Sequence, residues 1–199
     1  MTARIKICVT GGAGFIGSSF VLSAIKIGCE VLVLDKLTYA ASDNNLSQVW
    51  DNSLFKFVQK DICDYESLYV AIAKFKPDFI VNFAAESHVD NSIYDPKVFL
   101  DSNIYGTYNI LEVLRNLKSK DVNIKFVHVS TDEVYGSLNE EGLFTEKSQY
   151  KPNSPYSATK AASDHLVRAW SKTFGVPSVI TNCCNNFGPR QHSEKFIPK

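Results

Sequence analysis

The chain has 199 residues, of which 45% are hydrophobic, and its 21 Lys and Arg residues balance its 21 Asp and Glu residues. This length is enough for one domain with a hydrophobic core, or for one domain and the beginning of another. A formal net charge of +0 excludes the overall basic excess that holds nucleic acid, and 10 Gly with 7 Pro are too few for a collagen-like or low-complexity chain.

Residues 7–25 carry no charged side chain and could be mistaken for a signal peptide or a membrane anchor. Glycine and hydroxyl residues interrupt this stretch, which makes it a poor membrane-spanning helix. We therefore expect a soluble, cytoplasmic protein. The five cysteines lie in or beside apolar runs, which predicts small buried thiols in a reducing compartment. The four histidines show no metal-ligand spacing, so we expect no metal.

Short runs of β-branched and aromatic residues alternate with longer, helix-like segments along the chain. The predicted strands are 5–9, 31–34, 55–58, 79–83, 125–129 and 178–181, and the predicted helices are 15–27, 65–75, 96–117 and 157–174. Several strands are apolar nearly throughout, as strands buried on both faces of a parallel sheet are. The alternation predicts an α/β fold of the Rossmann type, with a doubly wound parallel sheet.

A glycine-rich turn follows the first predicted strand and opens the first predicted helix. Gly11, Gly14 and Gly17 form a G-x-x-G-x-x-G variant of the dinucleotide-binding motif. Such glycines allow a tight turn, close approach of a pyrophosphate and close packing of the helix on the sheet. The helix that begins near Phe15 would direct its free N–H groups at that pyrophosphate. A glycine-rich turn in an unrelated α/β protein is the alternative.

Asp35 ends the second predicted strand, 18 residues after Gly17. A carboxylate at this place accepts hydrogen bonds from ribose hydroxyls and repels a 2′-phosphate, which favours NAD over NADP. The adjacent Lys36 weakens that preference. Further along, Asp61 and Ile62 would lie near the adenine.

Tyr156 and Lys160 are spaced i, i+4 at the start of the last predicted helix, so both side chains share one helical face. An ammonium group beside a phenol lowers the pKa of the phenol, which would let Tyr156 act as a base near neutral pH. Behind a dinucleotide-binding motif, this spacing predicts the acid–base pair of a short-chain dehydrogenase/reductase.

The segment Ser130–Glu133 follows the fifth predicted strand, where residues face the ligand crevice of a parallel sheet. Its two adjacent carboxylates are more than alcohol oxidation requires, and they suggest that water is removed from or added to a substrate. The same residues are also good helix-capping residues in a solvated loop. From the spacing, both interpretations remain open.

Motifs along the whole chain resemble the nucleotide-sugar 4,6-dehydratases of the extended short-chain dehydrogenase/reductase family. The resemblance rests on segments 10–17, 35–40, 84–90, 128–136, 155–160 and 182–189, and the Thr-Asp-Glu triplet at 131–133 is its most specific part. It implies a lyase with NAD as cofactor and dTDP-glucose as substrate, giving dTDP-4-keto-6-deoxyglucose. It also implies a homodimer held by a helix bundle, in which helices 96–117 and 157–174 would pair, with no nucleic-acid or membrane partner.

The resemblance also implies a role for each matching residue. The catalytic residues would be Thr131, Asp132, Glu133, Tyr156 and Lys160. The cofactor would contact Gly11, Gly14, Phe15, Ile16, Gly17, Asp35, Lys36, Leu37, Thr38, Asp61, Ile62, Ala84, Ala85, Ser102, Tyr156, Lys160 and Asn186. The substrate would contact Ser87, Thr131, Asn185, Lys195 and Phe196.

In the implied reaction, Tyr156 removes the proton from the hexose 4-hydroxyl, Glu133 abstracts the C5 proton and Asp132 protonates the departing 6-hydroxyl. We expect residues 1–184 to form the NAD-binding domain with the catalytic residues, and 185–199 to begin a substrate-binding region that is largely missing. Two alternatives stay open. The protein could be a nucleotide-sugar epimerase or reductase of the same fold, or a non-catalytic NAD-binding fragment if the chain ends naturally at Lys199. The sequence leaves the choice between a dTDP and a UDP substrate open as well.

Overall fold

A computed structural model describes residues 4–138 and 142–193. Six parallel strands form one sheet in the order β3-β2-β1-β4-β5-β6. Their bounds are β1 Lys6–Thr10, β2 Glu30–Asp35, β3 Phe55–Gln59, β4 Phe79–Asn82, β5 Lys125–Thr131 and β6 Ser178–Cys183. This order confirms the Rossmann-type fold, and it reverses between β1 and β4, where such sheets form their ligand crevice.

The helices lie between the strands, as the alternating pattern predicts. They are α1 Phe15–Lys26, α2 Tyr65–Phe75, α3 Val89–Tyr94, α4 Pro96–Phe99, α5 Gly106–Lys118 and α6 Pro155–Phe174. Short 3-10 helices span Asp43–Val49 and Asp132–Tyr135. The helix α6 begins with a capping box, in which Ser154 and Ser157 each accept a hydrogen bond from the backbone N–H of the other.

Alternate residues of the strands enter two separate hydrophobic clusters, one on each face of the sheet. In β1, Cys8 packs in the cluster that α2, α5 and α6 cover, whereas Ile7 and Val9 pack in the cluster that α1 covers. Successive side chains of a strand point to opposite faces, so a strand buried on both sides must be apolar throughout. This explains why the strands of this chain read as continuous apolar runs.

The helix predicted over 96–117 is not one continuous α-helix. A π-helical segment, Leu100–Tyr105, separates α4 from α5. Such segments carry an extra residue in a turn and often occur at functional sites. Here the segment buries Ser102 and Asn103, and Asn103 pairs with the backbone of Glu86 through two hydrogen bonds of 2.9 and 3.0 Å. Tertiary contacts to the loop that follows β4 therefore accompany the irregular turn.

Two further expectations need correction. Ser130 and Thr131 do not follow the fifth strand; they belong to it, because β5 continues to pair with β6 as far as Thr131 opposite Cys183. The five cysteines are unpaired, but they are not all buried: Cys8 and Cys29 are buried, while Cys184 is exposed. No helix among the described residues is long and apolar enough to cross a membrane.

Candidate active site

A cleft runs along the carboxyl ends of the parallel strands, at the point where the strand order reverses. The predicted cofactor residues line it, with the exception of Leu37 among the residues that the structure describes. The predicted catalytic residues Thr131, Glu133, Tyr156 and Lys160 line the same cleft, as do the predicted substrate residues Ser87 and Asn185. The side chain of Leu37 instead packs against the hydrophobic cluster under α1. Lys195 and Phe196 lie outside the described residues.

The glycine-rich turn leaves room for a ligand where a side chain would fill it. Gly14 is the N-cap of α1 and lines the cleft, and a Cβ atom added to it would meet nothing closer than Gly11 O at 3.5 Å. No side chain caps α1, so the free N–H groups of its first turn face this space. Such N–H groups and the helix dipole bind phosphate groups. The turn therefore fits the pyrophosphate of a dinucleotide.

The other two glycines of the motif are required by packing. A Cβ atom at Gly17 would lie 2.2 Å from Gly11 O, and one at Gly11 would lie 2.4 Å from the backbone N of Ala84. Gly11 also has a φ of +72°, which residues with a Cβ atom rarely adopt. Because these two positions have no side chain, α1 and the segment after β4 can pack closely against the turn.

The different surroundings of Gly14 and Gly17 predict different effects when each is replaced by Ala. Gly17→Ala should lower the free energy of unfolding by about 1–3 kcal/mol, because the methyl group overlaps backbone atoms. Gly14→Ala should unfold near the wild-type denaturant concentration but bind a dinucleotide more weakly, since its methyl group projects into the cleft. Urea unfolding and calorimetric titration with NAD separate the two effects. Equal loss of stability in both variants would contradict this assignment.

The carboxylate of Asp35 joins the two loops at this end of the cleft. Its Oδ2 accepts a hydrogen bond from Ala13 N at 2.9 Å, and its Oδ1 accepts one from Leu37 N at 2.8 Å. Burial raises the pKa of Asp35, while these two N–H groups and the nearby Lys36 act in the opposite direction. A carboxylate can accept about four hydrogen bonds, so capacity for a ribose hydroxyl remains.

Lys36 lies on the wall of the cleft among polar partners from other elements. Its Nζ donates to Ser102 Oγ of the π-helical segment at 2.9 Å and lies 3.8 Å from carboxylate oxygens of Asp61 and Glu86. Two negatively charged carboxylates therefore lie near the positive charge of Lys36. This arrangement reduces the attraction of Lys36 for a 2′-phosphate.

Tyr156 and Lys160 extend from the first two turns of α6 into the cleft. The backbone N of Tyr156 donates to Ser92 Oγ of α3 at 3.2 Å, which fixes the start of α6. The ring of Tyr156 packs edge-on against Phe99, and Lys160 Nζ donates to Val129 O of β5 at 2.8 Å. The helix start is thus tied to α3, and the lysine side chain is tied to the sheet.

The surroundings of Tyr156 act against the expected lowering of its pKa. Burial raises the pKa of Tyr156 well above 10, the negative charge of Glu133 raises it further, and a hydrogen bond with Thr131 opposes both. Lys160 is directed at Val129 O, and burial lowers the pKa of its own ammonium group to about 8. The i, i+4 spacing correctly predicts that Tyr156 and Lys160 share one face of α6. It does not show how deeply they are buried, and burial is the largest cause of the pKa shift of each.

The Thr-Asp-Glu triplet turns away from β5 into the 3-10 helix Asp132–Tyr135. Thr131 caps this helix, because its Oγ1 accepts a hydrogen bond from Glu133 N at 3.2 Å. Glu133 lines the cleft, whereas Asp132 is outside the residues found to line it and has Oδ1 3.4 Å from Thr131 Oγ1. The capping interpretation is therefore confirmed for Thr131, whereas the catalytic interpretation of the triplet stays a prediction.

Several residues that we did not predict also line the cleft. They are Leu34, Ala40, Ala41, Lys60, Phe83, Glu86, Val129, Cys183, Cys184, Gln191 and His192. Most of them end a strand or begin the following loop, so the rule that strand ends face the crevice could have found them. Gln191 and His192 gave no such signal. Among the described residues, no cluster of three or more His, Cys, Asp or Glu side chains could hold a metal ion.

Comparisons with known proteins place this arrangement in a family. The sequence model for GDP-mannose 4,6 dehydratase matches residues 8–199. A probable dTDP-glucose 4,6-dehydratase of Sinorhizobium fredii is 49% identical over 199 residues, with 98% of this chain and 57% of that protein covered. The dTDP-glucose 4,6-dehydratase of Salmonella typhimurium is 47% identical over 209 residues, with 98% and 58% covered.

Solved structures show the same likeness. The dTDP-glucose 4,6-dehydratase of Streptomyces venezuelae, a complex with NAD, matches with a TM-score of 0.90 and 46% identity, over 98% of this chain and 60% of that chain. A UDP-glucose 4-epimerase of Thermus thermophilus, also with NAD, matches with a TM-score of 0.85 and 33% identity, over 95% and 58%. The chain thus spans well under two thirds of the relatives it matches. It belongs to the GDP-mannose 4,6 dehydratase family.

Proposed function

We propose that the full-length protein is an NAD-dependent dTDP-glucose 4,6-dehydratase, which removes water from its substrate to give dTDP-4-keto-6-deoxyglucose. The observation that carries the proposal is the single cleft that joins the glycine-rich turn to Thr131, Glu133, Tyr156 and Lys160. Relatives of that name, 47–50% identical over nearly the whole of this chain, support the substrate.

The cleft suits NAD rather than NADP. The pyrophosphate would lie at the free N–H groups of α1, and Asp35 would accept a hydrogen bond from a ribose hydroxyl while repelling a 2′-phosphate. When bound, NAD would take up a hydride from C4 of the hexose and return it to C6. The remaining chemistry consists of proton transfers, which belong to the side chains of this chain.

Tyr156 would act first, as the base that removes the proton of the hexose 4-hydroxyl. Its hydrogen bond with Thr131 favours the ionised form, and Thr131 would also hydrogen-bond the substrate oxygen. The positive charge of Lys160, one helical turn away, would stabilise the phenolate once a ligand displaces the contact with Val129 O. The pair thus would supply a base in a cleft that otherwise disfavours ionisation of Tyr156.

The carboxylates would carry out the elimination. A 4-ketone acidifies the hydrogen at C5, and Glu133, which lines the cleft, would abstract it. Asp132 would protonate the departing 6-hydroxyl, which leaves as water, and C5 would take up a proton again when the hydride is added at C6. Asp132 is adjacent to Glu133 in the 3-10 helix and contacts Thr131, so it is next to two residues that line the cleft. Two neighbouring carboxyl groups with different protonation states are suited to such acid and base roles.

The substrate side of the cleft would use Ser87 and Asn185, which line it. Lys195 and Phe196 would contact the substrate as well. Both belong to the segment 185–199, in which the substrate-binding region would begin after an NAD-binding domain of residues 1–184.

Product analysis tests the proposal directly. The full-length protein, incubated with NAD and dTDP-glucose, should convert the sugar nucleotide into a product that has lost one water molecule and carries a 4-ketone. UDP-glucose in a parallel reaction tests the nucleotide preference. A product of unchanged mass with inverted C4 would instead identify an epimerase of the same fold, and absence of turnover with intact NAD binding would identify a non-catalytic protein.

We also propose that the protein forms a homodimer through the helix pair that α5 and α6 present. Tyr105 and Leu100 of the π-helical segment are about half exposed, and Tyr105 stacks on Tyr108, whose ring lies edge-on to Trp170. A row of exposed aromatic and aliphatic side chains along adjacent helices is suited to packing against a second copy.

The dimer can be tested by light scattering of the full-length protein. Tyr105→Glu should shift the molar mass from that of a dimer to that of a monomer, because it would bury a charge in the helix interface. Ile27→Glu is the matched control, since Ile27 is exposed at the end of α1, on the opposite face of the sheet. A monomeric wild type would contradict the proposal.

A cytoplasmic location completes the proposal. The five cysteines of the chain are all unpaired, and two of them are at least partly accessible in the cleft. Free thiols of this kind persist in a reducing compartment.

A further inference from the structure

Asp164 is a buried carboxylate to which the proposed reaction gives no role. It follows Lys160 by four residues on α6, so the two side chains share one face of the helix. The side chain of Asp164 is 1% exposed, and it lies behind the cleft, outside the residues that line it. Buried carboxylates are costly unless they are paired with charge or satisfied by hydrogen bonds.

The carboxylate connects three elements of the active site. Its Oδ2 accepts hydrogen bonds from Ser130 Oγ of β5 at 2.8 Å and from Tyr150 OH at 2.9 Å. Asn182 of β6 places its Nδ2 3.4 Å from the same oxygen and donates to Thr131 O at 3.2 Å. Two hydroxyl groups thus donate to Oδ2, whereas the buried Oδ1 has no hydrogen-bond partner among the described residues.

Lys160, four residues before Asp164 on α6, is a buried group of opposite charge. Lys160 is 3% exposed, and its Nζ hydrogen-bonds a neutral group, Val129 O. Burial lowers the pKa of Lys160 to about 8, and the charge of Asp164 opposes that shift. Burial likewise raises the pKa of Asp164, while the hydrogen bond from Ser130 and the charge of Lys160 lower it.

The other titratable groups around Asp164 are uncharged at neutral pH. His128 of β5 has Nε2 3.4 Å from Asp164 Oδ1, and its pKa lies well below 6.5 because of burial and the positive charge of Lys160. Its Nδ1 faces the amide Nδ2 of Asn82 at 3.2 Å, which assigns the ring proton to Nε2. Burial raises the pKa values of Tyr135 and Tyr150 above 10.

We propose that Asp164 is a positioning residue of the active site: its negative charge keeps the buried Lys160 as an ammonium ion, and its hydrogen bonds join α6 to the strand ends that carry Thr131. The consequence for the reaction rests on the proposed function, in which the charge of Lys160 supports Tyr156. The charge balance itself involves only Lys160 and Asp164 and needs no substrate.

NMR of the full-length protein with ¹³Cε-labelled lysine measures this balance without cofactor or substrate. The Lys160 signal is assigned by its loss in Lys160→Met. In Asp164→Asn, the pKa of Lys160 should fall by about 1 unit or more, since an opposite charge on the same face of α6 is removed. Tyr150→Phe is the matched control: it removes one hydrogen bond to Asp164 but keeps the charge, so the pKa of Lys160 should stay close to the wild-type value.

The pH dependence of the reaction rate should show the same difference between the wild type and Asp164→Asn. Lys160 must be protonated to act, so activity is lost as the pH rises through its pKa, and a lower pKa in Asp164→Asn moves this alkaline limb to lower pH. A folded Asp164→Asn variant with an unchanged Lys160 pKa would overturn the proposal. Failure of the wild type to form product would leave the NMR result intact and refute only the proposed function.

A second measurement covers the case in which Asp164→Asn does not fold. If the unbalanced charge of Lys160 causes that failure, the double variant Lys160→Met, Asp164→Asn should fold, because no buried charge is left. A double variant that also fails to fold would show that Asp164 acts through its hydrogen bonds alone, which would overturn its role as the counter-charge.

Discussion

Replacing Tyr156 by Phe should lower kcat for product formation by about 10²–10⁴-fold, the usual contribution of a general base. Phe keeps the ring that packs against Phe99 and removes only the hydroxyl that is expected to take the proton of the hexose. The variant should therefore fold as the wild type does. Steady-state kinetics with dTDP-glucose measure the loss, and thermal unfolding measures the fold.

The control for this substitution is Tyr69→Phe, which removes a phenolic hydroxyl from α2, where it accepts a hydrogen bond from Lys120 on the protein surface. Its kcat should equal that of the wild type. If Tyr156→Phe retained kcat within a factor of a few, another group would be the base and the assignment of Tyr156 would be wrong.

The pH dependence of the first step follows from the surroundings of Tyr156. The base must be deprotonated to act, so activity rises with pH through the pKa of Tyr156, which burial and the charge of Glu133 raise. Removal of the negative charge in Glu133→Gln should therefore shift the acid limb of substrate oxidation to lower pH. Thr131→Val should shift it to higher pH, because it removes the hydrogen bond that favours the phenolate.

The second large effect concerns the carboxylates. In Glu133→Gln and in Asp132→Asn, formation of the final product should fall by about 10²–10⁴-fold, because the C5 proton or the departing hydroxyl loses its transfer group. Oxidation at C4 should continue, since Tyr156 and Lys160 are unchanged. In a single turnover, the reduced cofactor should accumulate and decay slowly, and its absorbance gives both rates.

Glu66→Gln serves as the control, since Glu66 lies in the first turn of α2, outside the cleft, and its substitution should leave both rates unchanged. Normal product formation in both Glu133→Gln and Asp132→Asn would rule out elimination by these carboxylates. Loss of the initial oxidation together with the product would show instead that they hold the substrate or the fold.

Much of this site follows from the sequence, because strand ends can be located without a structure. Parallel strands buried on both faces give continuous apolar runs. The glycine-rich turn follows the first of these runs, Asp35 ends the second, and Tyr156 and Lys160 begin the last helix. In a parallel sheet these ends meet at one edge, so their assembly into one cleft was predictable. The bounds of α2 were predicted to the residue.

What could not be predicted depends on contacts between distant segments. The π-helical turn accompanies the pairing of Asn103 with the backbone of Glu86, and the apolar pattern of 96–117 contains no trace of it. The sequence shows Asp164 only as a polar residue of a helix. Its contacts with Ser130 of β5 and Asn182 of β6 arise from the tertiary fold. The raised pKa of Tyr156 likewise results from burial, which the i, i+4 spacing does not report.

The fate of a deuterium label at C4 of dTDP-glucose tests the proposed reaction most directly, with the full-length protein and NAD. Because the hydride taken from C4 returns to C6, the product should carry the deuterium at C6, and a hydrogen from solvent should replace the one at C5 that Glu133 removes. Mass and NMR analysis of the product locate both atoms. Deuterium that stays at C4 of a sugar with inverted configuration, or a product without deuterium at C6, would contradict the proposed dehydratase reaction.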